Sequence, residues 1–276
     1  MSTKSKVSII VPTRNSSATL RACLESVKKQ RYAPIELIVV DRDSTDDTAA
    51  IAKEYSDHVY NHGPERSAQR NFAVAKSTGE YVVIIDSDME LSSKVIEAAV
   101  AAIDRPGVVG VIIPEESFGK GFWAQCKKLE RSFYVGIDWM EAARFFRKST
   151  YTELGGYDLS MTSGEDWDLS QRVAQTGKLA RINEYIYHNE GRINLWKTVK
   201  KKYYYAQKFS AYLHKQEGKG NVQQQTGVLT RYKLFFSKPG RLLRNPILGL
   251  GMLFMKTAEF AGGGIGLVLS KLHKNA

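Results

Sequence analysis

The chain has 276 residues, of which 43% are hydrophobic and 25% are charged. This composition excludes a mainly disordered or collagen-like chain, and the length allows one large domain, or a domain with an appendage, around a sizeable core. The formal net charge is +11. It is unevenly distributed, because 13 Lys and Arg residues but only one acid, Glu217, lie between Arg192 and Arg244. The rest of the chain is therefore almost neutral.

The two cysteines, Cys23 and Cys126, are too few for a disulfide framework and lack metal-site spacing. We interpret them as buried thiols in a reducing compartment. The first residues, Met1 to Lys6, are polar and contain no apolar signal region. These features predict that the bulk of the protein lies in the cytoplasm.

From Val7 to about Ile113, short apolar runs alternate with amphipathic stretches. The predicted strands are residues 7–11, 37–40 and 81–85. The predicted helices are residues 18–30, 45–55, 67–77 and 94–103. Strands that are apolar throughout, with helices between them, indicate an α/β fold whose mostly parallel sheet has helices on both faces. Ligands of such sheets bind beyond the carboxyl ends of the strands. Three segments follow predicted strands directly: residues 12–15, 41–44 and 86–88.

The second half of the chain has a different pattern. An aromatic-rich helix is predicted at 122–134, and another helix from Gly164 to about Gly177. A basic region with interspersed tyrosines starts at about Leu195 and ends in an apolar stretch, 247–269. We therefore predict a catalytic domain at 1–194 and a basic, apolar helical region for membrane association at 195–276.

Asp86-Ser87-Asp88 follows a buried strand directly. Two carboxylates at i and i+2 on a loop that leaves the sheet are able to face one divalent cation and its bound phosphates. Hard oxygen ligands suit Mg²⁺ or Mn²⁺, which would neutralise the charge of a departing diphosphate. A plain solvated turn would use the same residue types. At the end of an apolar strand, however, the motif favours a metal site.

A second acidic cluster, residues 41–46, follows the second strand. An Asp at this position is able to accept hydrogen bonds from a ribose or a base edge, as acids do in dinucleotide sites. We assign Asp41 to the ligand, and Ser44 and Asp46 to capping of the next helix.

Taken together, the motifs resemble family 2 glycosyltransferases of the GT-A fold over roughly the first 190 residues. The segments that carry the resemblance occur in the family's order and spacing: Val7–Asn15, Cys23–Val27, Val40–Thr48, Gln69–Asn71, Gly79–Asp88, Gly155–Asp158 and Gly164–Asp168. The resemblance implies that a sugar moves from a nucleotide diphosphate donor to an acceptor hydroxyl, with inversion at the anomeric carbon. Each motif is weak alone, but the ordered set is specific.

The resemblance also implies roles for individual residues. The implied nucleotide contacts are Pro12, Thr13, Asp41, Arg66, Arg70 and Asp86. The implied metal ligands are Asp86, Asp88 and, as a third candidate, His188, with Asp88 the more direct. Candidate acceptor contacts are Glu141, Glu165 and Trp167, and Arg192 is a candidate phosphate contact. Asp166 matches the catalytic base.

Two departures from the family pattern matter. Many relatives carry two adjacent acids after the second strand, whereas Arg42 follows Asp41 here, which leaves UDP-linked and GDP-linked donors both open. The Gln-x-x-Arg-Trp signature of processive members is absent, because Tyr232 follows Arg231. We therefore expect the addition of a single sugar.

The role of Asp166 is chemically reasonable. Inversion by single displacement needs a carboxylate that takes the proton of the acceptor hydroxyl on the face opposite the leaving group. Asp166 lies where a loop enters a helix, so backbone N–H groups help to hold it. Acids are nevertheless common in the first turn of a helix, and a lone histidine such as His188 is more often structural.

The basic region mixes cations with aromatic side chains, as in Lys200–Tyr205. This pattern suits nucleic acid or an anionic membrane surface. The apolar stretch 247–269 favours the membrane, and we expect no nucleic-acid partner. Lys256 and Glu259 interrupt the stretch at roughly 3 kcal/mol each for a spanning helix, so an interfacial helix pair or a re-entrant hairpin at the glycines 262–264 fits better.

Three functional hypotheses follow. The first is a metal-dependent inverting hexosyltransferase at the cytoplasmic face of the membrane, with a lipid-linked glycan or glycolipid as acceptor. The second is a polyprenyl-phosphate glycosyl synthase similar to dolichyl-phosphate mannose synthases, in which the lipid phosphate itself receives the sugar. The third is a non-enzymatic basic binding module, which has no use for Asp86, Asp88 and Asp166.

Overall fold

The computed structural model describes residues 4–215 and 220–274, so residues 216–219 of the basic region lie outside the described part. The first elements in chain order are β1 (Val7–Thr13), α1 (Ser17–Lys28), β2 (Ile35–Asp41), α2 (Thr48–Tyr55), β3 (His58–Asn61), α3 (Arg66–Lys76), β4 (Tyr81–Ile84), β5 (Met89–Leu91), α4 (Val95–Ile103), β6 (Val108–Ile112), β7 (Glu115–Lys120) and α5 (Phe122–Ser132). The remaining elements are β8 (Ala143–Arg147), α6 (Lys148–Glu153), α7 (Glu165–Ala174), β9 (Lys178–Arg181), β10 (Ile186–Arg192), α8 (Leu195–Lys208), α9 (Ser210–Lys215), α10 (Gly220–Thr226), α11 (Val228–Phe236), α12 (Pro239–Leu243) and α13 (Pro246–Lys274).

The chain forms two compact units. Unit 1 comprises residues 1–115, 142–159 and 165–189, and unit 2 comprises residues 116–141, 160–164 and 190–276. Residues 116–141 and 160–164 thus group with the C-terminal residues rather than with the rest of 1–194. The functional boundary at residue 194 remains a prediction.

Unit 1 is built on a seven-stranded sheet with the order β3-β2-β1-β4-β8-β6-β9. The pairings β2–β3, β1–β2, β1–β4 and β6–β9 are parallel. Strand β8 runs antiparallel to both β4 and β6. The expected GT-A-like α/β fold with a mostly parallel sheet is confirmed.

The central strand β1 is buried along its whole length. Ile9 packs in one core with residues of α1, α2 and α4, whereas Ile10 packs in a second core with residues of α3 and α7. Alternate side chains of a strand point to opposite faces, so both faces need a cover of helices. Each aliphatic side chain buried in this way stabilises the fold by about 1.5–3 kcal/mol. This double burial explains the continuous apolar runs in the sequence.

Parallel pairing brings the predicted ligand segments to one edge of the sheet. Thr13 at the end of β1 is the register partner of Asp41 at the end of β2. The backbone N–H of Ile85 donates to the carbonyl of Ile10 at 3.0 Å, so the chain beyond β4 leaves the same edge and continues to Asp86. Strand β5 then pairs antiparallel with β10.

Unit 2 is mainly helical. Its core includes Cys126, Phe133, Phe235, Met252 and Met255, which are all buried. Among the described residues one helix is long and apolar enough to cross a membrane, at Pro246–Leu269. Both cysteines are buried and free, as the sequence predicts.

Helix α13 is continuous through the glycines 262–264, so the structure contradicts both the re-entrant hairpin and an interfacial helix pair within 247–269. A Cβ on Gly262 would lie 2.7 Å from Cγ1 of Val199, and one on Gly266 would lie 2.5 Å from the carbonyl oxygen of Tyr203. Both Val199 and Tyr203 belong to α8. The absence of side chains at Gly262 and Gly266 therefore lets the two helices approach closely, as small residues do at tight helix crossings.

Candidate active site

The carboxyl ends of β1 and β2 are tied together by one buried side chain. The amide Nε2 of Gln69, on α3, donates to the carbonyl of Thr13 at 3.0 Å and to the carbonyl of Val40 at 2.7 Å. The buried hydroxyl of Thr13 has no hydrogen-bond partner among the described residues. Buried polar groups are normally satisfied, so this hydroxyl is suited to a ligand. Pro12 is buried beside it in β1.

Asp41 is buried and closes a local turn. Its carboxylate accepts from the backbone N–H of Ser44 at 2.9 Å and from the hydroxyl of Ser44 at 2.5 Å. Ser44 therefore does not cap a helix as predicted, because α2 begins only at Thr48. Asp46 precedes the N-cap residue Asp47, and its Oδ1 accepts from the backbone N–H and the hydroxyl of Thr48. The hydrogen bond with the Thr48 hydroxyl is the largest cause that lowers the pKa of Asp46 to about 2.

Arg70 lies at the centre of the site and is fully buried. Its Nη2 lies 2.6 Å from Oδ1 of Asp86, and its Nη1 lies 3.1 Å from Oδ1 of Asp166. The same Nη1 is 3.5 Å from Oε1 of Glu165. One planar guanidinium thus bridges the acid that follows β4 and the acids that open α7. The predicted role of Arg70 as a nucleotide contact is untested, and in this structure the side chain contacts carboxylates.

Asp166 is held from two sides. The hydroxyl of Tyr157 donates to its Oδ1 at 2.9 Å, as does Arg70. The guanidinium of Arg70 also lies over the ring of Tyr157, 4.8 Å from its centroid. The side chain of Asp166 is 29% exposed, so it combines a fixed orientation with access to a ligand.

The turn that positions Tyr157 depends on Asn71 and Gly156. Oδ1 of Asn71 accepts from the hydroxyl of Tyr151 at 2.6 Å and from the backbone N–H of Tyr157 at 2.9 Å. Gly156 has a φ of +64°, and a Cβ there would lie 2.6 Å from Oδ1 of Asn71. Only glycine fits this conformation and this space. The Gln69-Arg70-Asn71 motif therefore organises three parts of the site.

Asp86 lies between two arginines. Besides Arg70, Nη2 of Arg144 approaches its Oδ2 at 3.9 Å, and Nε of Arg144 donates to Oε1 of Glu115 at 2.6 Å. Burial by itself raises the pKa of Asp86, but Arg70 and Arg144 outweigh burial and hold that pKa well below its usual range. Asp86 is therefore a carboxylate at neutral pH. Nη1 of Arg144 is buried and has no hydrogen-bond partner among the described residues.

Glu165 and Trp167 flank Asp166 on α7. Glu165 is buried and pairs with Nη2 of Arg66 at 2.7 Å. Burial and the nearby charge of Asp166 raise the pKa of Glu165. Trp167 is half-buried. The predicted acceptor contacts of Glu165 and Trp167, and the predicted nucleotide contact of Arg66, stay predictions. We call the charged residues of this region the site cluster: Arg66, Arg70, Asp86, Glu115, Arg144, Glu165 and Asp166.

Asp88 is the better placed candidate metal ligand of the Asp86-Ser87-Asp88 motif. Its Oδ2 lies 3.2 Å from Nε2 of His188, and its Oδ1 is buried without a hydrogen-bond partner among the described residues. Both oxygens of Asp86, in contrast, face arginines. His188 lies within β10, and its backbone is the register partner of Met89 in β5. The pairing of β5 with β10 thus brings Asp88 and His188, which are 100 positions apart in sequence, into contact.

These residues fit a divalent cation. Among the described residues no group of three or more His, Cys, Asp or Glu side chains is clustered as a complete metal site. Mg²⁺ typically uses one or two carboxylates and takes its remaining ligands from water and substrate phosphates. Asp88 supplies one such carboxylate, and His188 lies beside it.

Two predicted residues belong to unit 2. Glu141 lies in the loop before β8, where its Oε2 accepts from the backbone N–H of Gly136 at 3.1 Å. Arg192 is exposed at the last position of β10. Their predicted contacts with acceptor and phosphate stay predictions.

Sequence reasoning missed three residues of the site: Tyr157, Arg144 and Glu115. Tyr157 lies inside the Gly155–Asp158 motif, so the motif could have identified it as a site residue. Arg144 and Glu115 carry no local signal, because a charged residue in a strand usually faces solvent. Only the antiparallel insertion of β8 beside β4 brings Arg144 near Asp86.

Comparison with known proteins identifies the family of the chain. Residues 8–158 match the profile of Glycosyl transferase family 2. The chain is 25% identical over 219 residues to the GalNAc(5)-diNAcBac-PP-undecaprenol beta-1,3-glucosyltransferase of Campylobacter jejuni, which covers 75% of this chain and 64% of that protein. The chain is also 33% identical to the uncharacterized glycosyltransferase YibD of Escherichia coli and 35% identical to the glycosyltransferase GlyA of Streptococcus pneumoniae, but these matches span only 28% and 14% of those proteins.

Solved structures show the same fold. The mannosyltransferase PcManGT of Pyrobaculum calidifontis, in complex with GDP-Man and Mn²⁺, superposes with a TM-score of 0.65 at 17% identity, over 100% of this chain and 89% of that one. TarS 1–349 of S. aureus, in complex with UDP-GlcNAc, has a TM-score of 0.53 at 16% identity, over 97% and 92% of the two chains.

The fold and the acidic strand ends define a glycosyltransferase of the GT-A type. The family match covers more than half of the chain, and the chain belongs to glycosyl transferase family 2. The predicted family, fold and enzyme class are thereby confirmed.

Proposed function

We propose that this enzyme is a metal-dependent inverting glycosyltransferase that moves a hexose from a UDP-linked or GDP-linked donor to a hydroxyl of a lipid-linked glycan or glycolipid at the cytoplasmic face of the membrane. One observation carries this proposal: Arg70 holds Asp166, the candidate base, and Asp86, an acid on the donor side, in one rigid arrangement. A base fixed beside the donor is what single displacement requires.

Asp166 would act as the general base. Both donors to its carboxylate, Arg70 and Tyr157, contact Oδ1. Oδ2 is thereby left to accept the proton of the acceptor hydroxyl while that oxygen forms its bond to the anomeric carbon. The sugar–phosphate bond breaks on the opposite face, and the nucleoside diphosphate leaves with the electron pair.

The nucleoside would lie over the ends of β1 and β2, with Pro12, Thr13 and Asp41 as contacts. Asp88 and His188 would hold Mg²⁺ or Mn²⁺, which neutralises charge on the leaving diphosphate when bound. The Mn²⁺ in the PcManGT complex supports this choice of metal class.

The acceptor class rests on two supports. The Campylobacter jejuni relative is named for a diphospho-undecaprenol-linked acceptor. In this chain, 13 basic residues between Arg192 and Arg244 precede the apolar helix α13. Each basic residue close to an anionic lipid surface contributes about 1 kcal/mol of attraction. An acceptor that resides in the membrane would meet the enzyme there.

The decisive variant is Asp166→Asn. For a hydroxyl acceptor we expect a loss of at least 10²–10⁴-fold in kcat, the usual contribution of a general base. The measurement is the release of UDP or GDP from the nucleotide sugar with Mg²⁺ or Mn²⁺ and an undecaprenyl-diphosphate-linked glycan. Glu54→Gln, in an exposed ion pair with Arg21, is the matched control and should retain activity.

A polyprenyl-phosphate acceptor gives the opposite result. A lipid phosphate is already ionised and needs no base, so Asp166→Asn would then lose little activity. That outcome would replace the proposed function by the polyprenyl-phosphate glycosyl synthase. If no UDP-sugar or GDP-sugar raises the melting temperature of the wild type in the presence of metal, the donor assignment is wrong, because a bound donor stabilises the fold by mass action.

A further inference from the structure

Helix α13 carries two charged residues, Lys256 and Glu259, in the middle of an apolar stretch, and the structure shows the ion pairs that both form. Nζ of Lys256 lies 2.5 Å from Oε1 of Glu130 and 2.7 Å from Oε2 of Glu259. Nζ of Lys127 lies 2.8 Å from Oε2 of Glu130 and 3.4 Å from Oε1 of Glu259. We call these four residues, two from α5 and two from α13, the quartet. Each charge of the quartet contacts both charges of opposite sign.

The quartet is buried: the side chains of Glu130 and Glu259 are 1% and 2% exposed. Gly262 and Gly266, one and two turns further along α13, pack against α8. One side of α13 is therefore fixed to α5 and α8 by buried ion pairs and close backbone contact.

The opposite side of α13 is exposed and apolar. We define the stripe as Ile247, Leu250, Phe254, Ile265 and Val268, whose exposed fractions lie between 57% and 72%. Their spacing follows the three- and four-residue period of one helix face. At 1.5 Å per residue the stripe is about 31 Å long.

Aromatic and basic side chains border the stripe. The ring of Trp123 stacks on that of Phe254 at 6.1 Å, and Phe122, which contacts Trp123, is itself exposed. Arg241 and Arg244 are exposed just before α13 begins. Aromatic rings and basic side chains around an apolar surface are typical of helices at a membrane interface.

We propose that α13 does not cross the membrane but lies in the plane of an anionic bilayer surface, with the stripe in the lipid and the quartet facing the protein. This inference deepens the membrane association of the proposed function and rests on it. The helix is long enough to span, so the burial of its central charges against α5, not its length, decides the orientation.

A spanning α13 would have to place the quartet inside the hydrocarbon core. If α13 left α5, Lys256 and Glu259 would keep each other but lose Glu130 and Lys127 as partners, and charges at that depth are costly. If α5 followed, Lys127 and Glu130 would enter the lipid as well. An in-plane helix keeps all four ion pairs and buries only apolar side chains.

Charge selects lipid over a second copy of the chain. A two-fold contact through the stripe would bring the basic residues of both copies to one interface, since such contacts are self-complementary. An anionic lipid surface complements the same residues. The stripe and its basic border therefore fit an anionic lipid surface better than they fit the same surface of a second copy of the chain.

The first experiment is flotation of the full chain with vesicles of phosphatidylcholine and phosphatidylglycerol. The triple variant Ile247→Ser, Leu250→Ser, Phe254→Ser should reduce the bound fraction at least tenfold. All three positions are exposed, so the melting temperature should change little. Thr257→Ser, an exposed polar position on the same helix, is the control and should bind like the wild type.

The second experiment measures the depth of nitroxide labels on single cysteines introduced at 247, 254, 265 and 268. The native thiols are buried, and burial raises the pKa of both Cys23 and Cys126, so they should remain unlabelled. An in-plane helix predicts nearly equal depths at all four positions. A deep label at 254 with shallow labels at 247 and 268 indicates a span and overturns the proposal.

The remaining outcomes are also decisive. If the triple variant binds vesicles as well as the wild type does, lipid docking by the stripe is wrong. It is also wrong if the wild type does not bind vesicles and is a dimer that the triple substitution converts to a monomer. Metal-dependent release of nucleotide from the donor sugar, measured without vesicles on a detergent-solubilised undecaprenyl-diphosphate-linked glycan that receives the sugar, separates this failure from that of the proposed function. That release should be equal in wild type and triple variant, whereas its absence from the wild type contradicts the glycosyl transfer itself.

Discussion

The two units each contain a buried cluster of opposite charges, and the clusters differ in how completely they are paired. In the quartet of unit 2, every charge contacts two partners and no side chain is more than 17% exposed. In the site cluster of unit 1, Asp86 and Asp166 are 24% and 29% exposed. Nε of Arg70 and Nη1 of Arg144 are buried without hydrogen-bond partners among the described residues, whereas no atom of the quartet is in that state.

This difference indicates two uses of buried charge. A guanidinium has five donors in a fixed fork, so Arg70 is able to orient several carboxylates without satisfying all of its own donors. A lysine ammonium is a compact charge, and two of them with two glutamates form a closed set. The site cluster therefore retains capacity for a ligand, and the quartet fixes one helix against another.

Removing the bridge of the site cluster should have the largest effect. We expect Arg70→Met to lower kcat about 10²–10³-fold, because Asp166 and Asp86 lose their common partner. Even a small displacement of a catalytic base lowers the rate strongly. Arg70→Lys keeps the charge but not the fork, and should recover only part of the rate. Steady-state kinetics should show a change mainly in kcat, with a smaller change in the KM of the donor.

Arg21→Met, at an exposed ion pair with Glu54, is the control for the loss of an arginine. If Arg70→Met keeps kcat within a few-fold of the wild type while it remains folded, Arg70 does not position the base.

Breaking the quartet should be the next largest effect, on stability rather than chemistry. Lys256→Met leaves Glu130 and Glu259 buried beside one remaining lysine, and we expect a destabilisation of about 3–5 kcal/mol. The double variant Lys256→Met, Glu259→Met leaves the Lys127–Glu130 pair intact at 2.8 Å and should recover most of that loss. Urea unfolding of the four proteins of this double-mutant cycle measures the coupling. Additive effects of the two substitutions would contradict a closed quartet.

The smallest expected effect is the pH dependence that the quartet confers. Burial raises the pKa of Glu259, but Lys127 and Lys256 outweigh burial and lower it to about 2. Because the folded pKa lies below the unfolded value, the contribution to stability is present above about pH 5 and is lost as pH falls toward 2. We expect this contribution to reach about 3 kcal/mol.

Unfolding free energies at pH 7, 5, 4 and 3 should therefore converge between the wild type and Glu259→Gln as the medium is acidified. If the difference between the two proteins is the same at every pH, the glutamate is not held ionised by its lysine neighbours.

The sequence alone determined the fold and the class of the enzyme. Fully apolar strands with helices between them predict a sheet covered on both faces, because each strand must bury both of its sides. The strand ends then locate Asp41, Asp86 and Asp88, since a parallel sheet brings its carboxyl ends to one edge. These patterns are local, so they can be recognised from the amino-acid sequence alone.

The tertiary structure decided which charges meet. Arg70 contacts Asp166 across 96 positions of sequence, and α13 uses Lys256 to reach Glu130 on α5. The glycines 262–264, which the sequence presented as a hinge, lie within a continuous helix, where Gly262 allows close packing on α8. Neither a salt-bridge partner on another element nor the element that covers a helix face is encoded by neighbours in sequence. Both depend on which elements pack together, because ion pairs and close backbone contacts act over only a few ångströms in space.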